Sequence, residues 1–456
     1  MKYTIVGGGV TGLVAGCILK RNNPHAQISI IEKENVLGGL LQGIKYNENG
    51  IYFDTGTHIF QETGNSVIDE ILLNAVSPSD LIHFPVGKGD IAGVFFNGVL
   101  QNNSHFPDLR FGKVEQEILD SIRCQLQIKP ELPTFTPQNS LLDVAGLRFG
   151  KQFTDQYVAP VFQSTFGFPA SELSAFALLL TGWSRVIVDD LNQWLVNINN
   201  DYYRSLVGIP DQRKLPLNLH HGKKSFYSRK NGSRDFIDGL VKSLAREGVE
   251  IISGATITSI DSSKCSVFFS DSKGNKKKID SDKLVLTNGL IGASKLFANT
   301  NFNKDFDRPM PHWIIDLILD HPCESDLCYL YGLDDNTEWY RVTNYRCLTG
   351  NSKDHRLTIE VLGCDELDLS SAKNIVIQLH QIGFLNSSNF NFLKVRRLAA
   401  GFPSPTVKNF QVFSQIGEEL ENYCGDNLLI CGVGSHNGVF FQNEVLRDMF
   451  DRISNF

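Results

Sequence analysis

The first residues whose types and spacing suit chemistry are glycines. Gly7, Gly9 and Gly12 stand in the order Gly-x-Gly-x-x-Gly directly after the apolar run Ile5-Val6. In such a run the first glycine permits a tight turn. The second lets the backbone approach a pyrophosphate, and the third lets the following helix pack closely on the strand. That helix reads from Leu13 to Lys20, and its N-terminus, reached through Val10 and Thr11, offers free N–H groups and partial positive charge to phosphate oxygens. A second apolar run, Gln27 to Ile31, ends at Glu32, followed by Lys33. A carboxylate there accepts hydrogen bonds from ribose hydroxyls and argues against a 2′-phosphate. The plain alternative is a glycine turn in an ordinary βαβ unit with a surface Glu. The succession strand, turn, helix, strand, acid favours a dinucleotide.

Leu37-Gly38-Gly39-Leu40 follows closely and supplies a second glycine turn. Nicotinamide dehydrogenases usually lack one there, whereas flavoproteins carry it over FAD, so the expected cofactor is FAD. Thr57 and His58 follow a glycine-bearing turn and are candidates to face the isoalloxazine; a lone His is otherwise most often structural. Near the C-terminus, Asn427 to Gly434 reads as a strand running into a glycine turn, with Gly438, Val439 and Phe440 beyond it. The expected cofactor contacts are completed by Ile257, Asn288 and Gly432.

Other side chains stand out by type and place. Gln101 and Asn102 belong to an amide cluster, which is usually a solvated turn. Arg185 lies just beyond the apolar run Phe176 to Trp183, and Arg341 sits among aromatic residues. Planar guanidinium groups bind phosphate oxygens bidentately and stay charged at physiological pH.

These residues need elements to hold them. The reading is an α/β chain: a FAD-binding Rossmann-like domain of the two-glycine-turn type, a helical insertion, and an antiparallel β-sheet substrate domain. The cofactor domain is expected to be discontinuous, over residues 1–75, 226–300 and 396–456. Residues 76–225 read as the mainly helical insertion, with helical pattern from Ala175 to Ile187, and residues 301–395 as the sheet domain. Residues 44–60 read as a strand pair, and Val94 to Leu100 as a hairpin on its Asn-Gly turn.

The totals bound the rest. At 456 residues the chain is long enough for two or three domains. A net charge of -7 leaves no general nucleic-acid footprint. No apolar run is long enough to span a bilayer. The N-terminus goes straight into a strand, so no signal peptide is expected and the localisation reads as cytoplasmic. The nine cysteines are scattered, with no Cys-x-x-Cys pair, and read as reduced thiols; no metal site is expected. Oligomeric state is not legible.

The layout resembles the flavoprotein group of the amine oxidases, protoporphyrinogen oxidase and UDP-galactopyranose mutase, and is most similar to the mutase in its eukaryotic branch. Asp54 to Phe60 is similar to the mutase's histidine loop. Leu100-Gln101-Asn102-Asn103 looks like its Pro-Phe-Gln-Asn-Asn segment. Phe166-Gly167-Phe168-Pro169 with Arg185, and Glu338 to Tyr345 with Tyr340, Arg341 and Asn344, resemble the segments supplying two diphosphate-binding arginines. Gly401 to Thr406 is similar to Gly-Tyr-Pro-Thr-Pro-Thr. The resemblance implies a FAD-dependent intramolecular transferase on a nucleotide sugar. Pyranose and furanose would interconvert through a flavin N5–sugar adduct, in cell-surface polysaccharide biosynthesis. His58, Arg185 and Arg341 would be the catalytic residues, and Gln101, Asn102, Phe166, Tyr340, Asn344 and Phe441 further substrate contacts.

The chain also departs from that pattern. Val433 stands where the mutases have arginine, Phe440 and Phe441 stand where they have tyrosine, and the tryptophan expected near Phe166 is absent. His436, Asn437 and Gln442 lie in this altered stretch as substitute contacts. Losing a charged hydrogen bond typically costs about 1.5–3 kcal/mol. The alternatives are therefore a FAD-dependent oxidase or dehydrogenase of the amine oxidase or protoporphyrinogen oxidase type, and a flavin-binding scaffold without catalysis.

Overall fold

The structure, a computed structural model, describes residues 1–84, 91–128, 131, 135–219, 224–297, 305–423, 425–435 and 440–456. Its chain divides into two units. One comprises Met1–His83, Lys223–Phe306 and Gln411–Phe456; the other comprises Phe84–Gly222 and Asp307–Phe410. The fold is mixed α/β, with a Rossmann-like sheet in the first unit and a mainly antiparallel sheet in the second.

The first unit is organised on a five-stranded sheet ordered Glu250–Ile252, Gln27–Ile31 (β2), Lys2–Val6 (β1), Lys283–Leu286 and Leu428–Ile430. All four pairings are parallel. A parallel sheet is covered on both faces, which is why its strands are apolar runs rather than alternating ones. Ile5 packs on one side with Leu13 and Ile18 of the helix Val10–Asn22 (α1), with Phe236 and Leu240 of the helix Ser233–Arg246, and with Leu446, Met449 and Ile453 of the C-terminal helix Gln442–Ser454. Val6 packs on the other side, with Val267 and Phe269 of a three-stranded antiparallel meander and with Ile416 and Leu420. The meander runs Thr256–Asp261, Ser266–Ser270 and Lys276–Asp280.

The second unit is organised on a seven-stranded sheet ordered Phe390–Arg397, His312–Leu319, Arg356–Leu362, Arg341–Asn344, Tyr329–Gly332, Ala92–Phe96 and Val99–Gln101. The last two strands form the expected hairpin, with Asn97 and Gly98 both at positive φ. This hairpin joins the sheet through a parallel pairing of Tyr329 with Ala92. The segment before the helices and the sheet after them therefore share one hydrogen-bonded layer, and both fall in one unit, together with residues 396–410.

Local readings differ in two places. Residues 44–60 do not form one strand pair: Ile44–Lys45 pairs with Tyr52–Phe53, residues 54–59 are a loop, and Phe60–Gln61 pairs with Ser225–Ser228. Ala175 to Ile187 is not an α-helix. It contains two short 3₁₀ turns, Ala175–Leu179 and Gly182–Ser184, and then extended chain. Its apolar run, Phe176 to Trp183, is continuous because it is buried except for the half-buried Leu179, and a buried run carries no helical period to read.

Candidate functional sites

In the first unit β1 ends at Val6 and the chain turns at Gly7, whose φ is +111°. A Cβ on Gly12 would stand 2.0 Å from the Gly7 carbonyl oxygen, so α1 starts as close to the strand as backbone allows. A Cβ on Gly9 would meet nothing within 4 Å. Gly9 is thus the open member of the triplet, and it caps a thirteen-residue helix with no capping side chain and no acid in its first turn. Such a bare N-terminus is an anion site by its dipole and its unpaired N–H groups. Two neighbours fix the turn. Thr287 Oγ1 donates to the carbonyls of Val6 and Gly7 at 3.0 and 3.1 Å. The Gly38 N–H donates to the Gly8 carbonyl at 2.8 Å, which joins the two glycine turns, with Gly38 and Gly39 both at positive φ. Thr287 carries no sequence signal; only the pairing of β1 with Lys283–Leu286 brings it there.

Glu32 is buried at the end of β2. Its Oε2 accepts from the Gly8 N–H at 2.7 Å and its Oε1 from the Glu34 N–H at 2.9 Å. The carboxylate is therefore oriented beside the open glycine, where a ribose would lie. Lys33 instead pairs at 3.6 Å with Glu34 on the exposed surface, and Leu40 is also exposed. Ile257 packs against the core beside the sheet. Asn288 is exposed. Gly432, at φ +114°, lies against Gly289, and Val433 is exposed. Phe441 caps the last helix, with its N–H on Glu444 Oε2 at 3.2 Å and that of Phe440 at 3.4 Å. Gly438 and Val439, with His436 and Asn437, lie outside the described residues.

Thr57 and His58 are half-buried on the loop after Asp54. Asp54, buried, accepts from the Ser233 N–H at 3.1 Å, from Ser233 Oγ at 2.7 Å and from the Tyr227 hydroxyl. This clasp ties the histidine loop to the start of the helix Ser233–Arg246. The residues present fit a dinucleotide: an open glycine at a bare helix N-terminus, two apposed glycine turns, and an oriented carboxylate.

In the second unit the expected substrate residues divide. Gln101 is committed to the backbone of Asp108, donating to its carbonyl at 2.9 Å and accepting from its N–H at 2.7 Å. Phe166 is fully buried, stacked on Phe162 and packed on Phe402. Tyr340 is buried with its hydroxyl on the Leu180 carbonyl. Asn344 is buried, donating to the Ser325 carbonyl at 3.1 Å while capping the helix Tyr345–Thr349. These four are held by the chain itself. Asn102 is exposed, and its carbonyl accepts from Arg213 at 2.8 Å.

Arg341 is not an uncommitted cation. Its Nε donates to Glu360 Oε1 at 2.6 Å and its Nη2 to Oε2 at 3.0 Å. His312 Nε2 stands 3.4 Å from the same carboxylate. Burial alone would lower Arg341 and raise Glu360. The pairing outweighs it: Arg341 is held well above its ordinary value and Glu360 below the carboxylate range, so both stay charged.

Arg185 is the contrasting case. It is exposed, on extended chain, with its guanidinium 5.4 Å from the Phe106 ring centroid. Partial burial and the charge of Arg204 both lower it, and no carboxylate among the described residues offsets them. His105, absent from the expected residues, belongs beside it. Its ring lies 3.9 Å from that of Phe106, and its carbonyl approaches Gly182 so closely that a Cβ there would stand 2.1 Å away. Burial and the Arg185 charge push its imidazole down to about 4, so it is neutral at physiological pH.

Among the described residues no three His, Cys, Asp or Glu side chains are grouped to hold a metal, and no helix is long and apolar enough to cross a membrane.

Comparison with known proteins agrees with this architecture. The family model for NAD(P)-binding Rossmann-like domains matches residues 5–72. No curated protein matches the chain. Among solved structures, reduced UDP-galactopyranose mutase is similar over all of this chain and 95% of its own, with a TM-score of 0.75 at 17% identity. A putative protoporphyrinogen oxidase from Exiguobacterium sp. 255-15 gives 0.68 at 16% identity, over 100% and 98% of the two chains. Cyclohexylamine oxidase from Brevibacterium oxydans IH-35A gives 0.64 at 12%, with the same coverage. At these identities the likeness is one of fold.

Proposed function

We propose that the chain is a FAD-dependent enzyme acting on a nucleotide sugar, similar to UDP-galactopyranose mutase. The observation that carries the substrate class is Arg185: an exposed guanidinium near Arg204, which is itself paired with Asp201, and with no compensating carboxylate of its own among the described residues. A diphosphate supplies the missing negative charge and matches the guanidinium fork. The cofactor assignment rests on the open Gly9, the bare start of α1, the apposed Gly38 turn and the oriented Glu32. Bound FAD would supply the redox-active ring at which a sugar carbon is attacked or oxidised. The chain's own residues would hold the pyrophosphate on α1, hold the ribose on Glu32, and hold the substrate's phosphates on Arg185. His58 would lie beside the flavin. Gly7, Thr11 and Gly12 would shape the phosphate turn, and Gly432 and Phe440 the far side of the cofactor.

A second reading is favoured by one observation. Arg341, the other half of the expected clamp, forms a neutral pair with Glu360. A site in which Arg341 is already paired also suits an oxidase or dehydrogenase of the amine oxidase or protoporphyrinogen oxidase type. One experiment separates the two. The purified protein is reduced with dithionite, offered a panel of UDP-hexoses, quenched with cyanoborohydride, and its extracted flavin weighed. A flavin–hexose mass supports the mutase reading. Bare FAD throughout, with oxygen consumed on addition of an amine or porphyrinogen, overturns it in favour of the oxidase.

A further inference from the structure

Arg148 is nearly fully buried, at 4% exposure, and no carboxylate pairs with it among the described residues. Its guanidinium lies 4.4 Å from the Phe135 ring centroid. Its Nη2 donates to two carbonyls, that of Ser184 at 3.0 Å and that of Ser205. Ser184 immediately precedes Arg185, and Ser205 immediately follows Arg204. One buried cation thus grips the backbone beside both the exposed Arg185 and the half-buried Arg204. From the other side the same chain is held by a short parallel bridge: the Val186 N–H donates to the Leu206 carbonyl at 3.0 Å and the Gly208 N–H to the Val186 carbonyl at 2.9 Å.

We propose that Arg148 is the positioning residue of a phosphate-binding site in which Arg185 makes the contact and Arg204 flanks it. This rests on the reading of Arg185 given above. Two features set Arg148 apart from an ordinary buried arginine. Burying a guanidinium without a carboxylate is costly, and chains seldom retain one without a use for its charge. Burial and the nearby Arg185 accordingly push it down to about 10. In addition, its Nε and the neighbouring Tyr202 hydroxyl are buried with no partner among the described residues. Arg204 is paired with the exposed Asp201 carboxylate, so the charges left without a carboxylate among the described residues are those of Arg148 and Arg185, and a phosphate-bearing ligand on Arg185 relieves them. The geometric role is separate from the field. One nitrogen, Nη2, holds two carbonyls on two chain segments, and the plane of the guanidinium is fixed against the Phe135 ring; a lysine ammonium is a point charge on a flexible stem with no plane to stack there, so it does not hold the two segments in the same register.

The test is calorimetric titration with inorganic pyrophosphate of the wild type, Arg185→Gln, Arg148→Lys and the double variant, each with a thermal midpoint. Loss of a charged contact in Arg185→Gln weakens binding by about ten- to a hundredfold. Loss of positioning in Arg148→Lys weakens it by about tenfold, and the double variant is no weaker than Arg185→Gln alone. A merely structural Arg148 would lower the thermal midpoint and leave affinity unchanged, or would add its full loss to that of Arg185→Gln; either result overturns the proposal. If Arg148→Lys does not fold, Phe135→Leu replaces it, removing the ring beneath the guanidinium from a half-buried position. The same weakening and the same non-additivity are then required. Pyrophosphate binding that is absent in the wild type, or indifferent to Arg185→Gln, overturns the reading of Arg185 itself and the proposal with it. Loss in Arg185→Gln but not in the Arg148 or Phe135 variants overturns the proposal alone.

Discussion

Single residues show how alike the expected sites look in sequence and how differently the fold treats them. Arg185 and Arg341 are both arginines among aromatic residues. One is exposed and repelled by a cation, and the other is locked to a buried carboxylate. Removing one partner of such a pair leaves an uncompensated charge, so Glu360→Ala should destabilise the protein by about 3–5 kcal/mol. The pH dependence follows. Glu360 is depressed in the folded state, so its contribution is present above the ordinary carboxylate value of 4.5 and is lost as pH falls below it. Chemical denaturation of wild type and Glu360→Gln across this range should show the stability gap closing on acidification; a gap independent of pH would refute the pairing. His105 gives a loss of the same sign over a higher pH window. Its folded value near 4 lies below the ordinary 6.5, so the unfolded chain takes up the proton first, and stability falls as pH drops through that interval. In His105→Asn the thermal midpoint should fall less steeply between these two pH values than in the wild type.

At the scale of elements, the glycine turn between β1 and α1 is a packing device before it is a binding device. A methyl group on Gly12 would overlap the Gly7 carbonyl and force helix and strand apart. Gly12→Ala should therefore lose dinucleotide retention outright, measured as flavin absorbance after gel filtration, whereas Gly9→Ala should fold normally and weaken retention only where the ligand needs the space. The Asp54 clasp does comparable work for the histidine loop. Asp54 joins a loop to a helix start almost 180 residues later, as its partners Tyr227 and Ser233 show. Asp54→Asn keeps the shape and weakens the acceptor. It should lower the thermal midpoint and broaden the NMR signals of the 54–59 loop, and unchanged spectra would remove the clasp from the account.

At the scale of the whole molecule, the first unit is closed by the end of the chain. Leu446, Met449 and Ile453 pack against the same cluster as α1. Burying each such side chain contributes about 1.5–3 kcal/mol, so losing three removes a large share of a typical domain's net stability of about 5–15 kcal/mol. A chain stopped before Gln442 should accumulate as insoluble protein, and a soluble, cofactor-retaining truncation would contradict this packing.

The amino-acid sequence by itself determined the local devices: the glycine triplet with Glu32, the second glycine turn, the Asn-Gly hairpin, and the α/β order of elements. Each is set by steric demands within a few residues, and those demands survive whatever the rest of the chain does. Tertiary structure decided the partners. Arg341 meets Glu360 because their strands pair in antiparallel register. Gln101 is taken by Asp108, Thr287 is brought to the first glycine turn, and Arg148 reaches two carbonyls on separate segments. Each of these depends on which distant backbones lie side by side. A residue's type declares the charge or hydrogen bonds it offers, and only the fold settles whether the chain itself consumes them or leaves them for a ligand.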